Sequence, residues 1–155
     1  MRFLCDHMLM GLGRWLRVAG YDTLIIGTSI GDQEIYIMAQ ADQRLIITRD
    51  HHFIQMQGSD DIVCHLTSNT LTECIQELTF KLGINWLYNP FSRCLVCNTL
   101  FVKDFDPGLL KNVPADVLQN KDHISYCEAC QKLYWQGSHT ERMRQKLIQW
   151  TELSQ

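Results

Sequence analysis

Between residues 1 and 85, short apolar runs alternate with segments of helical periodicity, and nothing else in the chain restricts the fold so strongly. Arg2 to Cys5 reads as a buried strand, followed by a helix with Leu9, Leu12, Leu16 and Ala19 near one face and Gly20 as its stop. Thr23 to Ile26 is a second strand, and a turn through Gly27 and Gly31 leads to a helix over 32–41 with Ile35, Met38 and Ala39 at helical spacing. Leu45 to Thr48 is the third strand, with a short helical piece around His52 to Met56. Ile62 to Leu66 is the fourth, and Thr70 to Leu82 is a longer helix with Leu71, Ile75, Leu78 and Leu82 on one side. Such alternation predicts an α/β fold with a parallel sheet. Right-handed crossovers then bring the C-terminal ends of the strands to one edge. Around Asn89, Pro90 and Ser92 the pattern changes to a turn-rich stretch with Pro107, Gly108 and Pro114, closed by a helix over 140–150. The expected division is 1–88 for the α/β unit and 91–155 for the remainder.

A chain of 155 residues, 46% hydrophobic and 20% charged, has the make-up of a soluble globular protein. Its longest apolar runs are far too short to span a bilayer, and Asp6 and His7 interrupt the only N-terminal run that resembles a signal peptide. A cytoplasmic protein with no membrane attachment is expected. The net charge of −3 argues against nucleic-acid binding by bulk positive charge. The balance is uneven: residues 1–90 carry six Lys/Arg against ten Asp/Glu, and residues 91–155 carry eight against seven.

Three acids draw attention. Asp6 and Asp50 each follow the apolar run of a strand, and Asp32 opens the helix after the second strand, with Glu34 two residues beyond. In an open α/β sheet these positions face the crevice where ligands bind. Carboxylates gathered there repel one another unless they share a cation. Hard oxygen ligands and water suit Mg²⁺ or Mn²⁺, ions that can orient a water nucleophile and neutralise a phosphodiester. Taken singly, the same acids read as a turn former, a helix cap and a loop acid. Competing motifs fail: Gly11 and Gly13 lack the third glycine of a dinucleotide fingerprint, and there is neither a phosphate-binding P-loop nor a GxSxG elbow. Arg14 and Arg17 share a helix face, while Thr48 and Arg49 adjoin Asp50; these are candidate substrate contacts, with a solvated face as the alternative for the arginines. His51 and His52 are too close in sequence to converge on one metal.

Of seven cysteines, Cys5, Cys64 and Cys74 stand singly in apolar surroundings and read as small buried hydrophobes. The others form two CxxC pairs, Cys94/Cys97 and Cys127/Cys130, with 29 residues between the pairs. Four thiolates in two knuckles suit a tetrahedral zinc with no open position, hence a structural one. A small subdomain with little core needs such a staple.

The stretches "DHMLMGLGRWLRVAGYD", "GDQEIYIMAQADQRLIITRD", "RCLVCN" and "YCEACQKLYWQGSH", in this order, resemble the Mut-seven C-terminal RNase domain family, a branch of the PIN-like nucleases joined to a zinc ribbon. The resemblance covers nearly the whole chain. It implies a PIN-like sheet with a metal-dependent ribonuclease centre at Asp6, Asp32 and Asp50, with Glu34 as a further candidate. Relatives often carry another acid two residues after the TRD aspartate, and here that residue is His52.

The leading expectation is therefore a Mg²⁺- or Mn²⁺-dependent ribonuclease with a structural zinc ribbon. Its rivals are a non-catalytic RNA- or protein-binding module of the same shape, and a metal-dependent phosphatase of small phosphate esters. An acidic edge repels RNA, so the ribbon and last helix are expected to hold it through Arg93, Lys103, Lys132, Arg142 and Arg144. Tyr134 and Trp135 would stack on unpaired bases or, alternatively, pack the ribbon onto the sheet.

Overall fold

A computed structural model describes residues 1–56 and 58–152. The α/β part runs β1 (Arg2–Cys5), a 3₁₀ turn (His7–Leu9), α1 (Met10–Val18), β2 (Asp22–Ile25), α2 (Asp32–Ala41) and β3 (Leu45–Thr48). A 3₁₀ turn (His51–Gln55), β4 (Val63–His65) and α3 (Leu71–Leu82) complete it. All four strands are parallel, in the order β2-β1-β3-β4. The chain lays β2 on one side of β1 and β3 on the other, so the crevice between the ends of β1 and β3 is where the strand order reverses. β4 is shorter than its apolar run, yet Ile46 donates to the Ile62 carbonyl (2.7 Å) and Leu66 to that of Thr48 (2.8 Å). The whole run thus takes part in pairing.

Side chains alternate across the sheet. Phe3, Cys5 and Ile47 face the layer of α1 and α3, whereas Leu4 and Ile46 face α2 with Ile35, Tyr36 and Ala39. Both faces are covered, which is why these strands read as unbroken apolar runs. α1 stops at Gly20, whose φ of +98° favours glycine. A Cβ there would also lie 2.2 Å from the Asn89 carbonyl oxygen. α3 starts with a capping box, Thr70 and Glu73 each bonding the other's backbone amide, and ends on left-handed Gly83.

Beyond α3 come a 3₁₀ turn (Pro107–Asn112), α4 (Ala115–Leu118), the antiparallel pair β5 (Ile124–Cys127) and β6 (Lys132–Trp135), and α5 (Ser138–Glu152). α5 returns to the α/β part: Leu147 and Trp150 join the core cluster of Leu12, Leu16, Leu78 and Trp86. Trp150 packs edge-on against Trp15 (4.6 Å between ring centroids) and Trp86 (5.4 Å). The buried Trp86 indole N–H donates to Thr79 Oγ1 (2.7 Å), and that hydroxyl donates to the Ile75 carbonyl (2.6 Å), so neither of these two side chains leaves a donor stranded. Among the described residues no helix is long and apolar enough to cross a membrane.

Candidate functional site

β1 ends at Cys5 and the next residue, Asp6, turns the chain into α1. Its carboxylate accepts a bond from the Leu9 amide (3.2 Å) and a short one from the Thr48 hydroxyl. Register places Thr48 there, because Cys5 pairs with Ile47 on the neighbouring strand. The Thr48 oxygen in turn accepts from the Asp50 amide (2.9 Å), so one hydroxyl ties the ends of β1 and β3 together. The Asp50 carboxylate caps the following 3₁₀ turn by accepting from the His52 amide (2.9 Å). Asp32, the first residue of α2, has Oδ2 3.5 Å from Nδ1 of His52. Asp6, Asp32 and Asp50 all line one cavity of about 140 Å³, closed by Met8 and by Gly27 and Thr28 of the β2–α2 loop. That volume accommodates an ion with several waters.

The carboxylates surround this cavity without closing on a point. Among the described residues the four cysteines are the one group of three or more His, Cys, Asp or Glu whose ligand atoms lie within 4.8 Å of one another. A cation in the acidic cavity would thus be held by few direct ligands and by water, the habit of Mg²⁺. The donor set of acid oxygens fits such an ion. Glu34 is exposed and does not line the cavity, since two residues along a helix turn it roughly 200° away from Asp32.

Several expected substrate contacts have other partners. Thr48 is fully buried and positions Asp6. Arg17 is only 5% exposed and ends on main-chain carbonyls: Nε on Thr23, Nη1 on Leu95 and Val96, each at 2.8 Å. It acts as a brace: Nε and Nη1 are held by main-chain carbonyls, and with only 5% of the residue exposed little of the guanidinium is offered to phosphate. Arg14, three residues earlier, is exposed. Arg49 reaches the Asn69 carbonyl (3.4 Å) and lines a separate cavity of about 410 Å³ with His51 and His65, whose rings lie 4.4 Å apart. Arg142 is exposed and folds back on the Ser138 carbonyl, and Arg144 lies over the Phe91 ring at 4.9 Å. Sequence reasoning missed the roles of Met8, Gly27 and Thr28; the Gly-Thr-Ser run directly after β2 was the available sign.

The cysteines come from two knuckles. Cys94 and Cys97 lie in a tight loop where the Cys94 amide donates to Thr99 and the Asn98 amide to Cys94. Cys127 ends β5 and Cys130 precedes β6. Each knuckle closes on a left-handed residue, Asn98 (φ +70°) and Gln131 (φ +54°). Sγ atoms of Cys94 and Cys130 are 3.8 Å apart, and those of Cys97 and Cys127 3.3 Å. Burial opposes ionisation of Cys97, but hydrogen bonding with the side chain and amide of Thr99 and with Cys127 and Cys130 outweighs it and brings its pKa down to about 6. These four side chains are close enough to hold a zinc ion.

The first knuckle is bolted to β2. Besides the Arg17 bonds, the Asn98 side chain accepts from the Thr23 amide (3.0 Å) and donates to the Asp22 carboxylate (2.8 Å). Arg93 spans Gly20 and Asn98 through their carbonyls, at 3.2 and 2.9 Å. Asp22 also holds Arg44 (2.7 Å) and Arg2 (3.4 Å).

The chain thus joins a parallel α/β unit, with a cavity lined by acids from two strand ends and one helix start, to a four-cysteine ribbon. The family model of the Mut7-C RNAse domain matches residues 1–147, and the chain belongs to that family. No curated protein and no solved structure matches it.

Proposed function

We propose that the protein is a ribonuclease of PIN-like type that cleaves RNA phosphodiester bonds with Mg²⁺ or Mn²⁺ at Asp6, Asp32 and Asp50, while zinc at Cys94, Cys97, Cys127 and Cys130 is structural. The reading rests on one observation: three carboxylates, two from beyond the ends of β1 and β3 and one from the start of α2, line the same cavity. A divalent ion supplies charge neutralisation and a more acidic water when bound. The chain supplies placement. The Asp6 side chain is held by two donors, the Leu9 amide and the Thr48 hydroxyl, so it has less conformational freedom left to lose on engaging an ion. Asp50 is fixed by the turn it caps, and Asp32 by its place at the start of α2. A zinc ion at the ribbon would be held by all four cysteines, which would leave no position for substrate.

The test is cleavage of single-stranded and structured RNA by the purified chain with Mn²⁺, Mg²⁺ and chelator. Asp6→Asn and Asp50→Asn should each lower the rate by at least about 100-fold, the scale of losing a group that stabilises developing charge. Their folds should survive, since asparagine still accepts hydrogen bonds. Undiminished cleavage by both variants overturns the assignment. Absence of metal-dependent cleavage in the parent chain would favour the rival of a binding module, for which His52 in place of an acid is the supporting observation.

A further inference from the structure

A large opening borders neither the acids nor the arginines of α1. It is a groove of about 880 Å³ between the ribbon and the start of α5. Its walls include Arg93, Lys103, His123 and His139, together with Phe91 and Trp135. Not one of its described lining residues is Asp or Glu, in a chain where acids outnumber Lys and Arg 17 to 14. Such sorting of charge favours an anionic occupant.

The cations are anchored yet not used up. Lys103 Nζ donates to the carbonyls of Asp122 (2.7 Å) and Ile124 (3.1 Å), which leaves one of its three N–H donors. Arg93 uses Nε and Nη1, which leaves donors on the rest of its guanidinium. Fixing a long side chain in advance removes an entropy cost from binding. The two aromatic candidates divide their work. Tyr134 directs its hydroxyl to Cys94 Sγ (3.5 Å) and packs its ring on Phe101 (5.0 Å), so it belongs to the ribbon. Trp135 is 40% exposed and lines the groove, with an aromatic ring able to meet a planar group. The volume lies within the range of sites that take a drug-sized ligand, a nucleotide among them.

We infer that this groove is a second binding site, which takes an unpaired nucleotide of a single RNA strand, its base on Trp135 and its phosphates toward Arg93 and Lys103. The choice of RNA over other strands rests on the ribonuclease reading; the binding chemistry does not. The groove meets α1 at Gly20, through Asn89 and Arg93, whereas the acidic cavity lies at the opposite end of that helix. The nine residues of α1 that lie between them span about 14 Å at 1.5 Å per residue. A strand engaged at both would span several nucleotides.

The experiment measures binding in the Asp50→Asn background, where no cleavage confuses the reading, with a short labelled single-stranded RNA, its perfect duplex and a nucleoside monophosphate. Trp135→Ala should weaken single-strand binding about tenfold or more, in line with the measured worth of base stacking, and Trp135→Phe should recover most of it. Lys103→Gln keeps a donor for the two carbonyls and should reduce the salt slope by roughly 0.7, one phosphate on a single strand. Zinc content and circular dichroism verify that each variant is folded. Unchanged affinity in folded Trp135→Ala overturns the inference, as does equal binding of duplex or equally tight binding of the monophosphate. Trp135-dependent binding without cleavage by the parent chain would sink the nuclease reading and leave the groove standing. Metal-dependent cleavage with Trp135-independent binding would do the reverse.

Discussion

Arg17→Met tests how the ribbon is attached. The substitution keeps most of the side-chain volume and removes the donors to Thr23, Leu95 and Val96. Thr23 is fully buried, so its carbonyl would be stranded at a cost of roughly 1–3 kcal/mol. Val96 is 72% exposed and Leu95 partly so, and water can replace the lost donor there, for about 0.5–1.5 kcal/mol each. Methionine recovers about 1 kcal/mol through its buried apolar atoms. The net loss is about 3 kcal/mol, which for a domain of this size lowers Tm by roughly 6–12 °C. Thermal unfolding followed by circular dichroism reads this directly. Two of the three lost bonds end on the loop between Cys94 and Cys97, so a chelator competition should also show faster zinc release. If Tm stays within about 2 °C of the parent while RNA affinity falls, Arg17 is a phosphate contact after all and the brace is refuted.

Two further outcomes follow from the same region. For Asp22, burial opposes ionisation, but the Arg44 and Asn98 hydrogen bonds outweigh it and hold its pKa at about 2. A depressed folded pKa means that the stabilisation is present above the ordinary carboxylate value near 4 and is lost as pH falls toward 2. Asp22→Asn should therefore be less stable than the parent at pH 7, by on the order of 1 kcal/mol after allowance for solvent screening, and equal to it near pH 2; a difference that is constant across pH would count against the ion-pair account. Gly20→Ala places a Cβ 2.2 Å from the Asn89 oxygen at φ +98°, so about 3 kcal/mol or more should be lost, and denaturant titration showing a neutral effect would contradict this packing.

The parts of this fold that could be read in advance are those whose cause is local. β1 and β3 announce themselves because both faces are buried and their central positions must be apolar. Asp6 and Asp50 could be located because an acid one or two residues after such a run has one place to go, the edge of the sheet. The two knuckles were legible from spacing alone, since four thiols at that separation have few alternative uses. What escaped is set by distant chain. Arg17 shares a helix face with Arg14 and reads like it, and only the arrival of Leu95, 78 residues later, buries one and leaves the other in water. Glu34 looked equivalent to Asp32 until the helix turned it away. The return of α5 to the Trp15 and Trp86 rings left no sign at residue 138, because a helix with Leu147 and Trp150 on one face does not say which core it will join. The separation of Tyr134 from Trp135 follows from strand alternation once β6 is known, and its sequence context gave no hint of which would face the thiols.

The bond between knuckle and β2 has a meaning for the sheet as well. β2 is an outermost strand, and at Thr23 both main-chain groups, N–H and C=O, point away from the sheet, where a foreign strand could pair with them. Asn98 takes the first and Arg17 the second. The ribbon thus works as a guard on the border of the α/β unit. A chain whose knuckle has come undone carries an open strand edge, and self-association, rather than a quiet loss of one subdomain, is the fate that this geometry sets for it.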